Sequence, residues 1–420
     1  MTPQQWPILG HLPSFLRDRL GFLEKCAQTQ QAAARLHIGE PALLLLEPED
    51  IRHVLTTNAS SYEKTPRLTS PRGRRISGSG LHTALSADHL PQRRLLQPLF
   101  RKLAMQEFLP LIRDRTMRRV SRWQTPGEID LCSEMEQLTL DVIIGAIFGA
   151  EYEDKDRRLA QAITARRAFL EYMQASLLPM AEYLPAPAVL RYRRAMRVID
   201  HEIEHGSLGA GFASRYAELQ YPDGSRMHRK LWRDEVLTLM STGYETIGDA
   251  LTWTIYLLAS HPEAEARVLE EMAAGGELGY TRMAIEEAMR LYPPTWIFVR
   301  MATSADRLPS GTPVEAGDKL YLCQYVTHRD ARFFPEPERF VPERFADSAR
   351  AGRPRFSYFP FGGGQRQCIG EHFAMQESLE VLSLLLPRFR FAPRHTSFEL
   401  APGVTLRPKG GMPILVSGRV

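Results

Sequence analysis

The second half of the chain carries long apolar stretches with helical spacing, separated by short polar or proline-containing segments. The longest covers residues 234–260 and is apolar nearly all round and free of proline. This pattern predicts one helix of roughly 40 Å through the protein core. Because Glu245 and Asp249 interrupt the apolar stretch, we do not expect this helix to span a membrane.

Shorter patterns predict the remaining elements, most of them helical. They are helices over residues 48–56, over residues 282–292 and from just after Cys368 to Pro387, a hairpin of residues 33–37 and 42–47, a strand over residues 321–326, and a proline-rich meander over residues 333–345. No repeat or Gly/Ser linker divides the sequence. The pattern therefore favours a single domain over residues 1–420, mainly α with small β-sheets.

Composition excludes several classes of protein. Of 420 residues, 44% are hydrophobic and 24% are charged, which is typical of a globular protein and not of a disordered or fibrous one. Lys and Arg number 53 against 49 Asp and Glu, a surplus too small to indicate nucleic-acid binding. The N-terminus has no basic segment followed by a long apolar one, so we expect no transmembrane anchor and a cytoplasmic location.

The four cysteines lack the spacing of a disulfide framework or of a metal-binding cysteine pair. One of them, Cys368, lies in the segment FGGGQRQCIG, residues 361–370, just before a predicted helix. The helix dipole and free backbone N–H groups there would hold the sulfur as a thiolate, and the glycines would let the backbone approach a flat ligand closely. Such a thiolate can bind a metal. The alternative is a buried, inert cysteine beside a glycine turn.

The same segment fills every fixed position of the pattern F-x-x-G-x-R-x-C-x-G, with Phe361, Gly364, Arg366, Cys368 and Gly370. It closely resembles the heme-binding signature of the cytochrome P450 family. The resemblance implies heme b as cofactor, with Cys368 as the axial iron ligand, Arg366 paired with a heme propionate and Phe361 packed near the thiolate. Gly364 and Gly370 would let the backbone contact the heme. It also implies the family's fold, a single α-rich domain shaped like a triangular prism.

A second motif is similar to the E-x-x-R element of the same family. Glu287 and Arg290 lie in the predicted helix of residues 282–292, and their spacing places the carboxylate and the guanidinium on one helix face. In the meander, Arg344 resembles the third member of the family's Glu-Arg-Arg network. The role implied is structural, as a buried ion network.

The predicted long helix carries TGYET, residues 242–246, which resembles the family's oxygen-activation motif. A threonine hydroxyl can donate to the carbonyl four residues earlier and open a helix slightly. By the resemblance, Glu245 feeds protons and Thr246 directs them, so both are catalytic, while Thr242 and Gly243 lie near the heme. Thr242 replaces the usual Ala or Gly of the family. The alternative is a helix whose internal polar groups simply satisfy one another.

Three further basic residues resemble family residues that bind the heme propionates. His89 precedes Arg93 by four positions, which aligns both on one helix face, and Arg300 follows Arg290 by ten. A solvated basic helix is the alternative for His89 and Arg93.

The resemblance implies an enzyme, a heme-thiolate monooxygenase that uses O2 to hydroxylate or epoxidise a hydrophobic small molecule in specialised metabolism. Since the heme domain uses the whole chain, we expect electrons from a separate ferredoxin or flavodoxin with its reductase. The basic residues expected to dock that partner are Arg93, Arg94, Arg101, Lys102, Arg353 and Arg355. The residues expected over the substrate pocket, where core packing explains the stripe equally well, are Met173, Leu177, Met180 and Leu184.

Two other functions stay open at this point. A heme-thiolate peroxygenase or isomerase would not activate O2, and the presence of Glu245 with Thr246 argues against it. A heme-containing binding protein without turnover would show ligand-induced spectral changes but no product under any electron source.

Overall fold

A computed structural model describes residues 6–7, 9–28, 32–175, 181–206 and 209–419. Helices make up most of the regular structure of these residues, as the sequence pattern predicts. In chain order the α-helices are α1 (Leu12–Arg17), α2 (Arg19–Ala27), α3 (Pro48–Arg52), α4 (Pro66–Thr69), α5 (Pro71–Ser77), α6 (Ser86–Leu96), α7 (Lys102–Met105), α8 (Leu109–Val120), α9 (Leu131–Phe148), α10 (Arg158–Ala175), α11 (Pro187–His205), α12 (Phe212–Glu218), α13 (Arg229–Thr242), α14 (Glu245–Ser260), α15 (Pro262–Ala274), α16 (Gly279–Leu291), α17 (Gln324–Thr327), α18 (Asp347–Ala351) and α19 (Glu371–Leu385).

The strands form small sheets. In chain order they are β1 (Ala33–His37), β2 (Pro41–Leu45), β3 (Tyr62–Glu63), β4 (Gly127–Asp130), β5 (Phe298–Ala302), β6 (Asp306–Arg307), β7 (Pro313–Val314), β8 (Lys319–Leu322), β9 (Phe389–Pro393), β10 (Leu400–Pro402), β11 (Leu406–Pro408) and β12 (Pro413–Gly418). A five-stranded sheet has the order β1-β2-β8-β5-β3, with β2 and β8 parallel and the other pairs antiparallel. An antiparallel sheet has the order β4-β12-β9, and β6–β7 and β10–β11 are two-stranded pairs.

The chain divides into two compact units. The first unit comprises Met1–Ser70 and Trp253–Glu371, and the second comprises Pro71–Thr252 and His372–Val420. The five-stranded sheet and the β6–β7 pair belong to the first unit, and the three-stranded sheet and the β10–β11 pair belong to the second.

In the first unit, the predicted hairpin is confirmed as β1 and β2, which pair in the register that sets Ala33 opposite Leu45. The predicted helix of residues 48–56 is α3, continued by a π-helical turn over His53–Thr57. Buried side chains of both elements, including Ile51 and Leu55, pack in one apolar core with strand residues of the sheet. This core fixes the turn that follows α3 against the sheet.

The strand predicted over residues 321–326 is wrong in its second half. The strand β8 ends at Leu322, and the helix α17 begins at Gln324. An apolar run this short fits a buried strand and a buried helix equally well, so its periodicity could not locate the change.

A buried ion network joins α16 to the predicted meander. Arg290 donates to both carboxylate oxygens of Glu287, at 2.7 and 2.9 Å, and both residues are fully buried. Its other donors reach the carbonyl oxygens of His328 and Arg339, at 2.9 and 3.1 Å. Arg344 Nε lies 3.4 Å from Glu287 Oε1, so the predicted Glu-Arg-Arg network is confirmed.

In the second unit, α9 is buried on nearly every face and packs against α8, α12 and α13. An aromatic cluster adds to this core: the Phe212 ring stacks on the Phe100 and Phe108 rings, each at 4.9 Å, and the Phe373 ring meets that of Phe108 edge-on at 5.6 Å. Offset and edge-on ring contacts of this kind add to the stabilisation gained from buried area.

The single helix predicted for residues 234–260 is wrong, because the structure has two helices, α13 and α14, with a break at Gly243 and Tyr244. A side chain at Gly243 would lie 2.8 Å from Ile143 of α9, which is closer than real Cβ atoms approach their neighbours. The glycine therefore lets the broken turn pack directly on α9.

Hydroxyl groups satisfy carbonyl oxygens at this break. Thr246 donates to the carbonyl of Thr242 at 3.3 Å, which is the i−4 bond that the sequence predicts, and Thr139 of α9 donates to the carbonyl of Tyr244 at 3.0 Å. Such side-chain bonds replace backbone ladder bonds and bend helices.

Across the described ranges, no helix combines the length and the apolar character needed to cross a bilayer.

Replacing Arg290 by Met should lower the free energy of unfolding by about 3–5 kcal/mol, because Glu287 is then left as a buried charge without its partner. Urea titration of the ligand-free protein measures this. The matched control is Arg339→Met, whose ion pair with Glu336 is exposed on both sides and should be worth less than about 1 kcal/mol. An equal decrease in the free energy of unfolding for the two variants would contradict the prediction that burial decides how much an ion pair contributes.

Candidate active site

The cysteine segment of the first unit is a tight loop whose glycines have two separate uses. Gly362 and Gly364 have positive φ angles, +72° and +65°, which favour glycine. A side chain at Gly364 would overlap the carbonyl oxygen of Leu55 in the π-helical turn, and one at Gly363 would overlap the Phe356 ring. At Gly370, by contrast, a Cβ would lie at an ordinary 4.0 Å from Cys368 Sγ. The loop therefore packs backbone against backbone on the core of this unit.

Cys368 closes this loop, since its N–H donates to the carbonyl of Phe361 at 2.9 Å. It lies three residues before α19, which begins at Glu371, so the predicted position near a helix N-terminus is confirmed. Of the four cysteines, Cys368 is the one that is exposed. Burial raises the pKa of Cys26, Cys132 and Cys323 to about 12, which keeps those three as inert thiols.

Three basic side chains of the first unit converge on one place: Arg300 of β5, Arg366 of the cysteine loop, and Lys64. Arg366 pairs with Glu63 at 3.1 Å. Desolvation, together with the charges of Arg300 and Arg366, holds the pKa of Lys64 well below its usual range. Desolvation and the charge of Arg366 lower the pKa of Arg300 to about 10. The structure thus brings the predicted residues Arg300 and Arg366 together and places Lys64 beside them.

Lys64 lies in no sequence motif, and only the pairing of two strands relates it to Arg300. Glu63 of β3 lies opposite Met301 of β5, so the residue after Glu63 is brought alongside Arg300. A motif search sees only residues close in sequence, whereas this pairing joins two distant segments.

The chemistry of this cluster fits an anionic group with two negative charges. Three cations and Glu63 sum to a charge of +2 when all are ionised. Desolvation lowers the pKa of all three cations, and repulsion from neighbouring cations adds to this at Lys64 and Arg300. The two propionates of a heme would match it, and the exposed thiol of Cys368 on the adjoining loop is a suitable iron ligand. The residues present therefore fit a heme group.

In the second unit, the predicted proton-transfer residues follow the helix break. Glu245 is buried at the start of α14, and Thr246 and Thr242 are joined by the hydroxyl–carbonyl bond described above. Gly243 forms the break itself. All four predicted residues of this motif therefore lie in one irregular turn.

Glu245 is held by a network that the sequence did not predict. Its Oε1 accepts a hydrogen bond from the hydroxyl of Thr405 at 2.7 Å and lies 3.2 Å from Arg407 Nε and 3.8 Å from Arg167 Nη1. Burial raises the pKa of Glu245, and the charges of Arg407 and Arg167 oppose that shift. Thr405 lies in the turn between β10 and β11 and Arg407 in β11, both far from Glu245 in sequence, so no local pattern signals them.

The same network contains two more carboxylates. Arg407 Nη1 lies 2.9 Å from Glu136 of α9, and Arg407 Nε lies 3.3 Å from Asp249, one turn after Glu245. Arg167 also pairs with Glu136, at 3.1 Å. The buried Glu245 and Asp249 and the half-buried Glu136 thus share two guanidinium groups, which leaves one negative charge in excess when all are ionised.

His89 and Arg93 lie on one face of α6 in the second unit, as their spacing predicts. His89 is buried, and half-buried Arg93 donates to Gln97. The predicted solvated-helix alternative therefore does not describe His89.

The residues predicted to dock a redox partner differ in exposure. Arg94, Arg101 and Lys102 of the second unit are exposed, and so is Arg355 of the first. Arg353 is half-buried, its guanidinium lies 4.6 Å from the centre of the Phe334 ring and donates to a backbone carbonyl, so it is less available for docking than the other four.

The predicted pocket stripe is only partly described. Met173 is half-buried near the end of α10, and Leu184 is 41% exposed, so the role of these two residues over the pocket stays a prediction. Leu177 and Met180 lie outside the described residues.

Comparison with known proteins gives one consistent result. A profile of the cytochrome P450 family matches residues 1–414. Cyclooctatin synthase of Streptomyces melanosporofaciens is 31% identical, over 98% of this chain and 92% of its own. Pentalenene oxygenase of Streptomyces avermitilis is 29% identical, over 93% of this chain and 90% of its own.

Among solved structures, the heme domain of cytochrome P450DA has the same fold, with a TM-score of 0.86 at 23% identity, covering 100% of this chain and 97% of that domain. The predicted mainly α fold with small sheets is thereby confirmed, and so is the resemblance stated from the cysteine segment. Since the profile spans nearly all of the chain and a relative above 30% identity covers it almost completely, the protein belongs to the cytochrome P450 family of heme-iron monooxygenases.

Proposed function

We propose that this P450 is a heme-thiolate monooxygenase that hydroxylates or epoxidises a hydrophobic small molecule in specialised metabolism, with heme b as cofactor and the whole chain as one functional domain. The observation that carries the proposal is Cys368, the exposed cysteine at the end of a loop fixed by close backbone packing. Relatives named for the oxidation of pentalenene and of cyclooctat-9-en-7-ol support a substrate of that hydrophobic kind.

The first unit would hold the cofactor through one thiolate and three cations. Heme, when bound, supplies an iron whose thiolate ligand favours cleavage of the O–O bond. Cys368 Sγ would ligate the iron, and Arg300, Arg366 and Lys64 would donate charge-assisted hydrogen bonds to the propionates. Phe361, Gly364 and Gly370 would surround the thiolate side.

In the second unit, His89 and Arg93 would donate to the propionates from their shared face of α6, and Thr242 with Gly243 would lie near the heme. The Thr246 hydroxyl donates a hydrogen bond to the Thr242 carbonyl. Because this is a side-chain bond, the hydroxyl group can rotate towards another acceptor without breaking a hydrogen bond between backbone groups. Glu245 and Asp249 would resupply the hydroxyl proton. With Glu136 they exceed the two guanidinium groups by one negative charge, and in a buried site this excess favours one carboxyl group that keeps its proton.

Electrons would come from a separate ferredoxin or flavodoxin with its reductase. Arg94, Arg101 and Lys102 are each exposed in the second unit, and Leu103, next to Lys102 in sequence, is 76% exposed. Exposed basic side chains suit an acidic partner that is steered electrostatically. A cytoplasmic location is part of the proposal, because thiols such as those of Cys132 and Cys323 persist in reducing compartments.

The proposal is tested by the carbon monoxide difference spectrum of the reduced protein. The wild type should show the strongly red-shifted Soret band of a thiolate-ligated heme, and Cys368→His should lose it while still binding heme. Cys132→Ser, which removes a buried thiol of the second unit, should keep the band. A wild-type protein that is folded but lacks the band would refute the proposal.

Lys64→Met should speed the loss of heme about 10-fold or more, because one charge-assisted hydrogen bond to a propionate is removed. Transfer of heme to excess apomyoglobin measures this rate independently of turnover. The stability of the ligand-free variant should be unchanged or higher, since a desolvated charge has been removed. Lys102→Met, at an exposed lysine, should release heme at the wild-type rate; a Lys64 variant that does the same would argue against the propionate role.

Burial raises the pKa of Asp249 from 3.8 to about 7. The unfolded chain ionises this carboxyl near pH 4, so the folded protein holds the extra proton between pH 4 and 7, and the stability contributed by the group falls as pH rises through that window. Relative to Asp249→Asn, the wild type should therefore lose about 2–3 kcal/mol between pH 5 and 8 in urea titrations. Asp347→Asn, at an exposed site, should follow the wild type. A difference between wild type and Asp249→Asn that does not change with pH would contradict this.

A further inference from the structure

Arg166 of α10 is buried in the second unit, and no described residue places an opposite charge beside it. Its side chain is 4% exposed, and its one hydrogen bond among the described residues runs from Nη1 to the hydroxyl oxygen of Ser241, at 2.7 Å. No carboxylate of the described chain lies within ion-pairing distance, and its Nε has no acceptor there. The charged side chain that bears on it is another cation, Arg233.

The neighbouring arginines show that this is unusual for the protein. Arg167, the next residue, pairs with Glu136 and Glu245, and Arg233 pairs with Asp200 and Asp234. Both of these cations are therefore compensated by the chain itself. Arg166 adds one positive charge that the described residues do not balance.

The tyrosines around Arg166 do not supply the missing charge. Tyr192 and Tyr244 interact with the guanidinium, but burial raises the pKa of both phenols, so they stay neutral at physiological pH. An arginine side chain keeps its proton in proteins, because its pKa is far above neutrality. A buried guanidinium without an anion is costly, and this cost needs a compensating ligand.

The position of Arg166 associates it with the proton-transfer segment. Ser241 immediately precedes Thr242, and its own hydroxyl proton is used on the Leu237 carbonyl at 2.6 Å, so its oxygen can only accept from Arg166. The wall beside Arg166 is aromatic, since Phe169 of the same helix stacks on Tyr192 at 4.0 Å. A buried guanidinium therefore lies beside an aromatic wall, close to the turn that carries Thr242.

We propose that Arg166 binds the carboxylate of the substrate, so that this P450 acts on a lipophilic monocarboxylic acid rather than on a neutral hydrocarbon or alcohol. The inference rests on the proposed function, which it narrows. One unbalanced guanidinium matches one negative charge, whereas a diphosphate would bring a further buried charge without a partner. The planar fork of arginine suits the two oxygens of a carboxylate.

Binding of a matched pair of probes tests the proposal. Farnesoic acid and methyl farnesoate have the same skeleton and differ in charge at neutral pH. We expect the holoenzyme to bind the acid at least about 30-fold more tightly than the ester, by calorimetry and by the shift of the Soret band. Arg166→Gln should remove this preference, and Arg158→Gln, at an exposed arginine of the same helix, should keep it. Equal affinity of the wild type for both probes, or a preference that survives in Arg166→Gln, overturns the inference.

The stability of the ligand-free protein is a second measurement, because it distinguishes a ligand-binding arginine from one that only supports the fold. The ligand-free variant Arg166→Met should have an unchanged or higher melting temperature, because an unbalanced buried charge is removed. A melting temperature lower by several degrees would overturn the inference, since Arg166 would then support the ligand-free fold. Failure of the proposed function remains distinguishable, because it appears as a missing thiolate band with carbon monoxide, whereas the probe preference is measured by calorimetry.

Discussion

A charge that leaves water must meet an opposite charge or a full set of hydrogen bonds, and this constraint orders both units of the protein. Where the chain supplies both signs, as in the pair of Glu287 and Arg290, the result is a scaffold. Where the described residues supply an excess of cations, as at Lys64 and Arg300 or at Arg166, the proposed ligands would bring the anion. The balance of buried charges thus distinguishes the residues that stabilise the fold from the residues proposed to bind a ligand.

The sequence predicted the elements whose cause is local. The hairpin of β1 and β2, the helix α16 and the glycine loop before Cys368 depend on turn residues, proline and spacing within a few positions, and all three are found. The long helix failed because its break depends on Gly243 packing against Ile143, a contact that hydrophobic periodicity does not contain. Local preference gave way there to the close approach of a second helix.

The motif residues of the candidate site were predicted from the sequence, but the residues that contact them from distant segments were not. Cys368, Glu245 and Thr246 are recognisable because each lies within a short pattern. The pairing of β3 with β5 brings Lys64 to Arg300, and the β10–β11 pair brings Arg407 to Glu245. These contacts join distant segments, so they exist only after the chain has folded. Arg166 has no pattern at all, because what distinguishes it is the absence of a counter-charge among the described residues.

The contact of Gly364 with the Leu55 carbonyl has a kinetic consequence. The two residues come from opposite ends of the first unit's sequence, so the contact carries the entropic cost of closing a very long loop. Contacts of such high sequence separation form late, after the local helices and hairpins. The cysteine loop therefore acquires its final shape only when the N-terminal core is complete, and a heme held as proposed would be taken up only by chains whose N-terminal segment is already assembled.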